Sequence, residues 1–303
     1  MNKFTELLNV QLLMIIYILI GVLCRKLKII NEKAQSCLIT LALNIILPCK
    51  VFYSIVEDMS EINVRDSLET ILVSAVVVLL GYFIALLVYR KAAPGKKPSL
   101  ELACMSTNSA FVGIPIAQSA FGATGVYYTT IYMTVAVIFF WTLGLSRYTK
   151  GEKGNALKKA LLTPTTDAVI LAVIASALGF HVPKIISPIF EEMSASSTMM
   201  CMIPIGYMVA DIRFDTLKDK DVWTFSAMRL IILPLITLAL LRLAHVDKTI
   251  ADIIVLLVSA PAPILAAMFA AKHGRDSVFA TAILIVTTVL ALLTVPLLTL
   301  IYF

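Results

Sequence analysis

Apolar residues run along this chain in long blocks separated by short polar ones. A hydrocarbon core ~30 Å thick needs roughly 20 residues of helix rising 1.5 Å each. Ten blocks approach that length: Leu7–Cys24, Cys37–Val56, Leu68–Tyr89, Leu100–Phe121, Gly125–Leu145, Thr165–Phe180, Ile189–Ala210, Val222–Leu243, Ile250–Ala271 and Ser277–Tyr302. The sixth is the shortest. The pattern predicts an all-α membrane protein of ten transmembrane helices.

Two blocks carry residues that helices tolerate poorly. Thr107–Pro115 reads TNSAFVGIP, and Pro115 lacks the N–H a regular helix needs, so the fourth helix is expected to break or kink there. Ser259–Pro263 (SAPAP) predicts the same for the ninth. Opened backbone at membrane depth survives only buried in protein or lining a wet cavity. Pro48 precedes Pro204 by 156 positions, and Pro115 precedes Pro263 by 148. Two five-helix halves, 1–148 and 165–303 joined by a linker at 149–164, explain both distances. Five is odd, so the second half inserts upside down. Inverted repeats with interrupted helices characterise secondary transporters, with the site near the midplane.

Charge then sets the orientation. Of the 25 Lys and Arg, 18 fall in the loops after spans one, three, five, seven and nine, and five on the other side. The positive-inside rule puts those loops in the cytoplasm and both termini outside, in a plasma (inner) membrane. The net charge of +6 is thus a matter of topology and implies no nucleic-acid partner. Sixty per cent hydrophobic residues and a mean hydropathy of +0.94 agree with a polytopic membrane protein. No signal peptide is expected, because Leu7–Cys24 is too long and basic residues follow it. The five Cys show no CxxC spacing and the three His lie in different loops, so no metal site and no cofactor are expected.

TNSAFVGIPIAQSAFG in span four, LNIILPCKVFYSI in span two and SAPAPILAAMFAAKHGRD near the end of span nine together resemble the auxin efflux carrier family. Its members include plant PIN-formed carriers and bacterial permeases for malate or malonate. The resemblance implies an elevator-like or rocking carrier with scaffold and transport domains, whose broken helices cross in an X. Carried over by position, Asn108, Gly113 and Pro115 would form the first crossover, and Pro261 and Pro263 the second. The second departs from the pattern, with Ser259 and Ala260 ahead of its prolines and no Asn.

The free N–H groups at restarted helices, residues 116–121 and 264–271, would attract an anion without Lys or Arg. Asn108 would bond the substrate or only the freed backbone. Thr107, Ser109 and Ser259 are weaker candidates, because membrane Ser and Thr often bond their own backbone. Lys50, beside Pro48, reads equally as a functional intramembrane charge or as a side chain snorkelling outward. Arg229 is expected to snorkel to the cytoplasm. Tyr132 belongs to an interfacial belt or reaches the cavity. Asp211, Asp215 and Asp219 have DxxxD spacing, but no second acidic motif faces them, so they read as a solvated loop. Without a catalytic cluster an embedded enzyme is not expected. The expected function is a secondary transporter of small organic anions (malate, malonate or auxin-like acids), the alternative an anion channel or transporter-like sensor. The coupling ion, proton or sodium, and the oligomeric state, for which a homodimer is one arrangement, stay open.

Overall fold

The computed structural model describes residues 3–58, 63–148, 163–212 and 214–302. The linker expected at 149–164 therefore lies, up to residue 162, outside the described residues, as does Arg213. Eleven helices carry the argument: α1 (Lys3–Lys26), α2 (Glu32–Glu57), α3 (Val64–Val88), α4 (Lys97–Met105), α5 (Ile114–Phe139), α6 (Pro164–Ala177), α7 (Ser187–Ala210), α8 (Lys220–Leu243), α9 (Lys248–Val258), α10 (Ile264–Lys272) and α11 (Ser277–Tyr302). Among the described residues there is no strand. Among the described residues seven helical stretches are long and apolar enough to cross a membrane, and α6 is a shorter apolar helix. Their exposed faces carry Leu12, Ile16, Leu19 and Leu23 on α1 and Leu72, Val76, Phe83 and Leu87 on α3, as lipid contact requires.

The longest such stretch, Lys97–Tyr148, is interrupted twice. Helix α4 stops at Met105, and Ser106 is extended (φ −128°, ψ 158°). Within α5, Gly122 has φ 60° and ψ −141°, a conformation that favours glycine, and the chain turns there. The first break thus precedes Pro115. The expected break at the proline itself is displaced upstream, because a wide π turn at Ser109–Gly113 absorbs the ring.

The same device occurs three times. Pro48, Pro115 and Pro234 are each the second residue after a π turn, at Ala42–Ile46, Ser109–Gly113 and Met228–Ile232. A proline at position i cannot donate to the carbonyl at i−4 and collides with it, and the widened turn moves that carbonyl aside. Pro204 and Pro296 sit inside α7 and α11, which continue as helix past them. Helices α6 and α10 end in Schellman turns: Gly179 (φ 68°) lets Phe180 N–H reach Ala175 O at 2.9 Å, and Gly274 (φ 62°) lets Arg275 N–H reach Ala270 O at 2.8 Å.

The chain forms two compact units. The first comprises 1–67, 110–130 and 161–211, so it takes α1, α2, the start of α5, α6 and α7. Helices α1 and α7 meet backbone to backbone. A Cβ added at Gly21 would stand 2.2 Å from Ile203 O, and one at Gly206 would stand 2.1 Å from Ile18 O. Close approach through small residues is how helices associate in lipid, where no hydrophobic drive holds them together.

The second unit comprises 68–109, 131–160 and 212–303, with most of α3, then α4, the rest of α5 and α8–α11. Gly81 of α3 abuts the carbonyl of Cys104 on α4. Glu101, nearly fully buried, takes a two-pronged pair from Arg147 at 2.5 and 2.9 Å. The three aspartates of the DxxxD segment point to separate cations: Asp211 to Arg25, Asp215 to Lys218 and Asp219 to Lys96. Burial opposes the Lys96 charge, but its hydrogen bonds to Asp219 and Asp221 outweigh that and hold the ammonium's pKa above its usual value.

Candidate functional site

The two interrupted segments touch within the second unit. Helix α4 ends at Met105 and α9 at Val258, and the backbone is irregular over 106–108 and 259–263. Asn108 N–H, freed from its own helix, donates to Pro261 O at 2.9 Å. Ala262 N–H donates to Thr287 Oγ1 at 3.0 Å, and that hydroxyl donates in turn to Ile283 O. Sequence reasoning misses Thr287, since an isolated Thr in an apolar helix carries no distinguishing signal. Helix α10 then restarts at Ile264 after an extended Pro263 (φ −77°, ψ 143°), with no side chain capping its N-terminus.

The side chains here are polar and enclosed. Asn108, Thr107 and Ser259 are all buried. The Thr107 and Ser109 hydroxyls bond each other, and Ser259 Oγ donates to Val255 O at 2.8 Å. That last bond is the backbone satisfaction that makes Ser a weaker ligand candidate. Asn108 Nδ2 is buried and donates to no protein atom among the described residues. Gly113 closes the π turn and Pro115 follows it. Because that turn runs directly into α5, the helix restarts near Ser109 and not at 116–121 as expected.

Arg229 corrects the sequence reading outright. It does not snorkel. Only 1% of it is exposed, and it donates from Nε to Ala260 O at 3.2 Å and from Nη1 to Cys104 O at 3.3 Å. The carbonyls released by the two breaks give it acceptors inside the protein, which removes the reason to reach for water. Tyr132, also buried, interacts with both Thr107 and Arg229.

Lys50 occupies a different place, within the first unit. It is 2% exposed and donates from Nζ to Ser197 Oγ at 2.8 Å. Pro48 stands at the start of its regular turn, Leu47–Tyr53. A cavity of about 290 Å³ lies beside it, lined also by Tyr53, Gln118, Glu191, Ser194 and Thr198. Glu191 accepts from Tyr53 Oη at 2.8 Å and from Ser187 Oγ at 2.9 Å. Gln118 falls one turn past Pro115, and only its place in the TNSAFVGIPIAQSAFG stretch hints at a role. Lys50 is thus enclosed and does not reach outward to the surface.

A family profile described as "Membrane transport protein" matches residues 7–156 and 153–299, nearly the whole length. The chain belongs to this family of auxin efflux carrier-like transporters. The resemblance drawn from three short motifs therefore holds across the protein. An uncharacterized transporter of Methanothermobacter thermautotrophicus is 26% identical, covering 93% of this chain and 94% of its own. A second, from Methanocaldococcus jannaschii, is 22% identical over 96% of this chain and 97% of its own. The family and these relatives are transporters, and the chain is a multi-pass membrane protein of that kind.

Proposed function

We propose that this family member is a secondary transporter of small organic anions, carboxylates such as malate, malonate or auxin-like acids, working by alternating access. The substrate would be held where the two interrupted helices cross. One observation carries the reading: Asn108 ties the breaks together through its backbone, while its buried amide Nδ2 keeps a donor with no protein acceptor among the described residues. A buried donor left unmade costs ~1–3 kcal/mol, which a carboxylate oxygen in the site would offset. Thr107, Tyr132, Ser259, Gly113, Pro115, Pro261 and Pro263 complete the proposed crossover, with Lys50 and Pro48 in support.

Helix lengths favour ten membrane crossings arranged as two inverted five-helix repeats. Helices α4, α9 and α10 have 9, 11 and 9 residues, each about half a bilayer at 1.5 Å per residue. Two such halves in series, α9 then α10, make one crossing. The charge bias then puts both termini outside a plasma (inner) membrane. Function needs no cofactor in this reading, and the partners are the anion, the lipid and, as one assembly, a second copy of the chain.

Uptake of labelled carboxylates into proteoliposomes tests the proposal. Saturable uptake that trans-loaded substrate accelerates, and that Asn108→Ala weakens, is the expected result. Flux that does not saturate and ignores trans substrate would replace it with the channel reading. Accessibility of introduced terminal cysteines to an impermeant reagent, only from outside, is expected from the topology.

A further inference from the structure

We propose that Arg229 is a built-in cation, its guanidinium filling the place between two helix ends where a sodium-coupled carrier would bind its ion, so that transport is not tied to sodium at this crossing. This deepens the carrier reading above and rests on it.

The two acceptors come first. Cys104 lies in the last turn of α4, and Ala260 stands just past the end of α9. Arg229 bonds both carbonyls, so one side chain closes the C-terminal ends of both interrupted helices. Unwound carbonyls and the C-terminal ends of half-helices are the groups that coordinate coupling cations in carriers built on broken helices.

The charge balance agrees. Each helix C-terminus carries about −0.5 of an elementary charge, so two ends together match one guanidinium. Among the described residues no carboxylate pairs with Arg229. A charge this deep in a membrane protein is costly unless compensated, and the two helix ends are its compensation.

Local structure holds the group there. Arg229 lies in the π turn Met228–Ile232, and Pro234 keeps that turn from relaxing to a regular one. Tyr132, which also interacts with Thr107, flanks it. A guanidinium stays charged throughout the accessible pH range, so the cation is permanent.

The test uses the purified full-length chain in detergent, without substrate, melted in sodium chloride and in choline chloride at equal ionic strength. Wild type should melt at the same temperature in both. Arg229→Ala should melt several degrees lower and recover part of that loss with millimolar ethylguanidinium, or with sodium over choline, where wild type does not respond. Arg229→Lys, which keeps a charge, should fall between them, and it stands in if the alanine variant does not fold. In proteoliposomes, replacing sodium by choline should change wild-type uptake by less than about twofold. Sodium stabilisation of wild type, sodium-driven accumulation, or variants indifferent to every cation would each overturn the assignment. The melting readout contains no carboxylate, so the substrate reading can fail while this one stands, and the reverse.

Discussion

Lys50 and Arg229 are both cations sealed inside apolar helices, and they are sealed differently. Arg229 gives Nε and Nη1 to two backbone carbonyls of interrupted helices, and its Nη2 is buried with no partner among the described residues. Lys50 makes one bond, to Ser197, and faces open volume beside Gln118 and Thr198. An ammonium has three donors, so Lys50 retains bonding capacity toward the cavity. Burial alone therefore does not tell what a membrane-embedded charge does. The informative quantity is where the unused donors point, into packed protein for Arg229 and toward a cavity for Lys50.

The most severe way to break the comparison is Arg229→Met. It leaves the Cys104 and Ala260 carbonyls buried without this donor, at about 1–3 kcal/mol each, so a large loss of folding stability is expected in reversible denaturation. Lys50→Met should behave in the opposite manner. It removes a costly buried charge, and Ser197 keeps its own bond to Ser194 O, so little stability should be lost. Anion uptake should nevertheless fall about tenfold or more, since a hydrogen bond to a charged group contributes about 1.5–3 kcal/mol. Normal uptake by the Lys50 variant would reduce that residue to scaffolding. A smaller effect is expected of Asn108→Ala, about 1 kcal/mol in transport for one neutral hydrogen bond, or roughly fivefold in the uptake Michaelis constant. Thr287→Val is the mildest. It strips the acceptor from Ala262 N–H, and a melting shift matching about 1 kcal/mol should appear with no sensitivity to sodium or guanidinium.

Much of this is legible in the residues alone. Blocks such as Leu68–Tyr89 announce a membrane helix through hydropathy, and the doublet Pro261 and Pro263 marks a break where the backbone does turn irregular. Pro115 marks its break only loosely. A proline dictates that some nearby turn must give way, not which one, and here a π turn absorbs the ring while Ser106–Asn108 open instead. Arg229 is illegible for a different reason. Its partners are main-chain oxygens of Cys104 and Ala260, far along the chain, and a carbonyl leaves no signature in residue identity. Glu101 and Arg147 likewise find each other only through folding.

The seam between α1 and α7 has a practical corollary. Positions 21 and 206 accept nothing bulkier than hydrogen, whereas Leu12, Ile16, Leu19 and Leu23 look outward. A fluorophore or crosslinker attached along that outward row would report on the first unit without disturbing it, while a single methyl group at either glycine would prise the two helices apart.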